Sequence, residues 1–201
     1  MIPFSRTPEP AHFDERVRQP GMAWLARAQA KDRPPAYWRR VAPDVREAFR
    51  SLCAYAAMYV PDGVVDHFRP LRHHPQLAYA WSNYRYASHL MNAIKGDAQG
   101  LLDPFDVRQG WFELLLPSLQ LVVSDRVPPR WRALADHTLV RLRLRDDERI
   151  LRWRQQWYAL YREGRLSLEG LRAVAPLLAA AIERAEAADP RGGPPGDDVG
   201  A

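Results

Sequence analysis

The pattern of apolar and polar positions changes twice along the chain. Near the start, prolines recur at Pro3, Pro8, Pro10 and Pro20, which predicts an extended arm over residues 1–20 that packs through Phe4 and Phe13. Residues 21–30 suit a short helix with Trp24 and Leu25 inward, ended by Pro34-Pro35. Pro43 fits the first turn of a second helix to about Cys53, with Val45, Phe49, Leu52 and Cys53 at helical spacing. Residues 63–68 form a β-branched run stopped by Pro70, a short strand. A loop over 71–80 leads to a second short strand. Ser88 is then an N-cap for a helix over residues 89–95, closed by Gly96.

Beyond this stretch, residues 110–116 and 119–123 flank Pro117-Ser118 and predict a β-hairpin. From Pro128 the period becomes helical. Trp131, Leu134, Ala135, Thr138, Leu139 and Leu142 share a face, with Arg130, Arg132, Arg141, Arg143 and Arg145 largely off it. A further helix over 147–163 carries Ile150, Trp153, Trp157, Tyr158 and Tyr161 inward and is capped by Gly164. A last helix from Ser167, with Leu171, Val174, Leu178 and Ile182 in line, is expected to kink at Pro176. Residues 189–201, rich in glycine and proline, read as a disordered tail. The expected class is α+β, in successive segments: an N-terminal arm with helices (1–50), a small core (51–108), a hairpin (109–124), a helical region (125–188) and the tail.

Composition narrows the function. The chain has 201 residues, a formal charge of +5 and 47% hydrophobic residues, enough for one sizeable core and suggestive of an anionic partner. Lys31 and Lys95 are the only lysines, so the positive charge is nearly all arginine. Phosphate contact and GC-rich coding both explain that bias. The single Cys53 excludes an intramolecular disulfide and fits a small buried hydrophobe. No apolar run is long enough to span a membrane, and the N-terminus lacks a signal-peptide core, so a cytoplasmic location without membrane contact is expected.

The candidate chemistry lies in residues 64–96. Asp66 and His67 follow the β-branched run, Asn83 follows Trp81-Ser82, and Asn92 and Lys95 share a helix face. Hydrolysis of a phosphodiester needs a divalent ion on oxygen ligands and a separate base, for which histidine is suited by a pKa of roughly 6.5. Neighbours on a strand point to opposite sides, so Asp66 and His67 are expected to do different work. His73 and His74, in a proline-flanked loop, fit polar surface better than a ligand pair.

The compound pattern Asp-His-Phe-x-Pro, Trp-Ser-Asn and Asn-x-x-Lys-Gly resembles the ββα-metal core of HNH endonucleases. It is most similar to the bacterial branch found with ATPases in Septu- and retron-type anti-phage systems. The resemblance covers about residues 52–104. It implies a catalytic set of Asp66, His67, Asn83 and Asn92: Asp66 and Asn92 on one Mg²⁺ or Mn²⁺, His67 as general base, and Asn83 orienting the loop that carries the base. Lys95, Arg69 and His89 are then candidates for the substrate phosphate, DNA is the expected substrate, and an ATPase is a candidate partner, docked on residues 147–188. Many members of that branch brace the core with two Cys-x-x-Cys pairs around zinc. Here Cys53, Ala56, Ser88 and Met91 occupy those positions, and one thiolate makes no tetrahedral zinc site. Either apolar packing replaces the knuckle and the site is an active endonuclease, or the core is an inactive fold that binds nucleic acid or protein.

Overall fold

The computed structural model describes residues 1–29 and 32–188. Its elements are helical segments at both ends and two small antiparallel sheets between them, a mixed α+β arrangement. The expected tail, 189–201, lies outside the described residues.

Strand β1 (Val64–His67) pairs antiparallel with β2 (Tyr84–Ala87), with Asp66 opposite Arg85 and His67 opposite Tyr84. Helix α3 (His89–Lys95) follows β2 directly and packs on both strands. Its ends are the expected ones. The Ser88 hydroxyl accepts from the Met91 amide at 3.1 Å, and Gly96 closes the helix with φ +49°, a left-handed backbone that suits glycine. Gly63, just before β1, has a different reason to be glycine: a Cβ there would lie 2.5 Å from the Tyr86 ring.

The N-terminal half departs from expectation in two places. Residues 1–20 are not all extended. A π-helical turn at Asp14–Arg18 runs into α1 (Gln19–Leu25), with Pro20 in the first turn, where its missing N–H costs nothing. Phe4 and Phe13 are buried as expected. Helix α2 is short, Ala42–Ala48, because Arg50 and Ser51 turn to positive φ. Leu52 then bridges to Tyr59, and the intervening loop buries Cys53 through Met58. Cys53, Ala56, Ser88 and Met91 are all buried, and the Ala56 amide donates to the Cys53 sulfur at 3.5 Å. Burial pushes the Cys53 thiol up, as for an inert core cysteine.

The hairpin pairs β3 (Phe112–Leu115) with β4 (Gln120–Val123). Helix α5 (Glu148–Arg162) falls close to its expected bounds, whereas α4 (Pro129–Arg141) stops before Leu142, Arg143 and Arg145, because Arg143 turns to positive φ. The last helix is broken rather than kinked. Helix α6 (Leu168–Val174) ends at Ala175, whose φ of −149° leaves the helical region, and Pro176 opens α7 (Pro176–Ala188). The residue before a proline disfavours the helical region, and this break satisfies both residues. Helix α7 packs on β3, and Leu171, Leu178 and Ile182 belong to the same buried cluster as Met1, Phe49 and Tyr55. Within the region expected to dock a partner, Leu171, Leu178 and Ile182 thus serve the chain's own core, while Trp153, Trp157 and Tyr161 are partly buried against it.

Candidate active site

A cavity of about 560 Å³ opens at the end of β1, lined by Trp38, Arg39, Asp66, His67, Arg72 and Asn92 among others. Three of the residues expected to carry the chemistry thus border one space. Asn92 reaches it from α3 and is half-buried, while Asp66 and His67 are buried at 4% and 8% exposure. Adjacent on the strand, these last two reach different partners, as alternation requires.

The His67 ring is held on three sides. Trp38 and Tyr84 meet it edge-on, with centroids 4.6 and 5.2 Å away. Its Nε2 lies 3.0 Å from the Ala78 carbonyl oxygen, which also accepts from the Tyr84 hydroxyl at 2.8 Å. A carbonyl oxygen only accepts, so Nε2 carries the hydrogen and Nδ1 is the basic nitrogen of the neutral ring. Burial lowers the His67 pKa, which keeps the ring neutral near pH 7.

Asp66 sits in a closed network. Oδ1 accepts from Lys95 Nζ at 3.0 Å, and Oδ2 accepts from the Tyr55 hydroxyl at 2.5 Å. Burial, followed by the Asp66 charge, raises the Tyr55 pKa well above its usual range, so Tyr55 stays a donor. Lys95 also donates to the His67 carbonyl oxygen at 2.7 Å. Lys95 was expected at the phosphate; instead it is 1% exposed and points inward, fastening α3 to β1. A buried ammonium is stable only beside a carboxylate and good acceptors, and Asp66 and the His67 carbonyl supply them.

Asn83 clamps the loop after β1. Its Oδ1 accepts from the Arg69 amide at 2.7 Å, and its Nδ2 donates to the carbonyls of Arg69 and Leu77 at 3.1 and 3.3 Å. This geometry fits the loop-orienting part expected of it. Arg69 and His89 are exposed and do not line the cavity of Asp66 and His67; Arg69 borders a neighbouring one. Arg141, one of the arginines expected on a nucleic-acid face, donates to the carbonyls of Ile94 and Lys95 at 3.0 and 3.3 Å and so caps α3.

Three residues of the site had no signal in the sequence. Tyr55 lies in the loop read only for its missing cysteines. Trp38 and Arg39 come from the 3₁₀ turn Tyr37–Val41, before α2. Of the two arginines on the cavity, Arg72 pairs with Asp97 at 3.3 Å, whereas the Arg39 guanidinium has no ion-pair or hydrogen-bond partner among the described residues.

The donors suit a hard divalent ion in kind: a carboxylate from Asp66 and an amide oxygen from Asn92. A carboxylate has about four acceptor positions, so the Lys95 and Tyr55 bonds leave room on Asp66. Among the described residues no group of three or more His, Cys, Asp or Glu gathers as a metal centre. Protein-family models, curated proteins and solved structures give no match to this chain.

Proposed function

We propose that the chain is a metal-dependent endonuclease of HNH type acting on DNA. The observation that carries this is His67: a histidine kept neutral by burial, its tautomer set by the Ala78 carbonyl, on one cavity with Asp66 and Asn92. The strand–strand–helix order of β1, β2 and α3 supports the same reading.

In this mechanism His67 Nδ1 takes a proton from water as the water oxygen bonds to phosphorus. The P–O3′ bond breaks, and the leaving oxygen gains a proton from solvent. The Nε2–H bond to Ala78 steadies the imidazolium that forms. Asp66 and Asn92 would hold a Mg²⁺ or Mn²⁺, which would supply positive charge to the phosphate and the departing oxygen. Lys95 offsets the charge of Asp66. Arg39 takes the phosphate contact that Lys95 does not make. Asn83 keeps the loop after β1, and with it His67, in register.

The closed network around Asp66 also favours a second reading, an inactive fold that binds nucleic acid. Cleavage of plasmid DNA by the purified protein, with and without Mg²⁺ or Mn²⁺, separates the two. Metal-dependent cleavage abolished by His67→Ala supports the nuclease. DNA binding without cleavage in either ion leaves the binding module. An ATPase partner rests on the sequence resemblance alone, and co-purification with one is its test.

A further inference from the structure

Next to the site, on the other side of Pro70, is a second cavity of about 310 Å³. It is lined by Phe68, Arg69, His74, Gln99 and neighbouring small or apolar residues. Pro70 lines both cavities. The charge of the two differs. The first carries Arg39 and Arg72 against Asp66 and Asp97, whereas the second carries Arg69 and His74 and, among the described residues, no carboxylate.

Its arginine is anchored through the backbone, with the guanidinium left free. Both backbone polar groups of Arg69 are bonded to the Asn83 side chain, the amide to Oδ1 and the carbonyl to Nδ2. The Arg69 guanidinium has no partner among the described residues and is exposed. Pro70 reverses the chain, its carbonyl accepting from the amides of His73 and His74 at 3.0 and 2.9 Å, and this turn returns His74 to the Arg69 side. An arginine anchored at its backbone, an imidazole and an amide around a concavity without a lining carboxylate are groups that suit an anion.

The geometry points to this cavity as a subsite for a phosphate next to the scissile one along a polynucleotide strand. The inference rests on the nuclease reading, and it deepens that reading: the substrate is a chain of phosphates held at two neighbouring positions, rather than a single phosphodiester. Asn83 then serves both positions, because the clamp that sets the loop of His67 also presents Arg69.

The test uses the full chain with Arg69→Ala and His74→Ala combined, which leaves the backbone clamp intact, and Arg69→Glu as a second variant. Two probes are compared: a fluorescent 20-mer DNA, single-stranded and duplex, and bis(p-nitrophenyl) phosphate, which has one phosphate. The double variant should bind the 20-mer about ten-fold more weakly, the cost of a lost charged hydrogen bond. Its salt dependence should fall by about 0.7–0.9 in slope for the one fixed charge removed. Hydrolysis of bis(p-nitrophenyl) phosphate should be unchanged, and Arg69→Glu should weaken 20-mer binding further. Unchanged affinity and slope in both variants would overturn the subsite while leaving the nuclease intact. If the wild-type protein hydrolyses neither probe, the nuclease reading falls, and the binding measurements alone decide the anion site.

Discussion

Lys95 in the strand–helix half and Arg154 in the helical half are both almost fully buried, at 1% and 2% exposure. Lys95 meets a carboxylate, Asp66, and one carbonyl. Arg154 meets carbonyls alone, those of Leu119, Leu144 and Arg145 at 2.8, 2.7 and 3.3 Å. With no carboxylate bonded to it among the described residues, burial pushes the Arg154 pKa down to about 10. Arg154 ties the hairpin turn to the end of α4 and does not line the cavity. Lys95 ties α3 to β1 through a carboxylate that does. A buried cation is therefore no mark of chemistry in itself. What separates the two is that the carboxylate partner of Lys95 also lines the cavity.

Substitutions in each half sharpen that contrast. The largest effect is expected at His67. His67→Ala should lower DNA cleavage by roughly 10²–10⁴-fold, the usual loss for a general base, while 20-mer binding persists. An undiminished rate in protein free of contaminating nuclease would remove the mechanism.

Lys95→Met leaves Asp66 buried without its cation and should cost about 3–5 kcal/mol in denaturant unfolding. Adding Asp66→Asn to the same chain should restore most of this loss, because the stranded charge is gone. A double variant no more stable than Lys95→Met would mean that the ion pair is not what fastens α3.

Arg154→Met exposes no carboxylate, since none is bound, but strands carbonyl acceptors. The expected loss is about 1–3 kcal/mol, with cleavage per folded molecule unchanged. A fall in the specific rate would join the two halves in a way the contrast does not allow.

The smallest effect concerns pH. The folded-state pKa of His67 is lowered by burial. In the unfolded chain the ring protonates near its ordinary value of roughly 6.5. Below that value the unfolded state binds more protons, so stability is full above it and falls as pH drops. The slope from this residue is at most about 1.4 kcal/mol per pH unit. Arg154 has no part in this range. His67→Gln should flatten the fall of unfolding free energy as pH drops below about 6.5. An unchanged slope would assign the acid sensitivity to other groups.

The elements nearest the site were legible because their signals are local. Val64-Val65 before Asp66, Ser88 three residues before the amide it caps, and Gly96 at a left-handed position each act within one turn or one strand. The spacing of Asp66, His67, Asn83 and Asn92 was readable for the same reason, as was the apolar face of α4. Local signals also misled where a neighbour overrode them. Proline-rich residues 1–20 looked extended, yet Phe13 and Val17 bury fully once the turn at Asp14–Arg18 forms.

What each polar side chain faces was decided only by the tertiary fold. Lys95 and Asp66 are 29 residues apart, and nothing near Lys95 says whether it reaches a phosphate or a buried carboxylate. Tyr55 on Asp66, Trp38 on His67 and Arg141 on the end of α3 are contacts of the same long-range kind. Arg154 lies on a helix whose pattern marks Ile150, Trp153 and Trp157 as inward. It joins them because its long stem reaches carbonyls that the hairpin and the turn after α4 bring together. The sequence determined the strands and caps around α3, since their hydrogen bonds close over a few residues. Tertiary structure chose the partner of every buried charge, because the desolvation of a charge is offset only by groups that packing brings to it from distant parts of the chain.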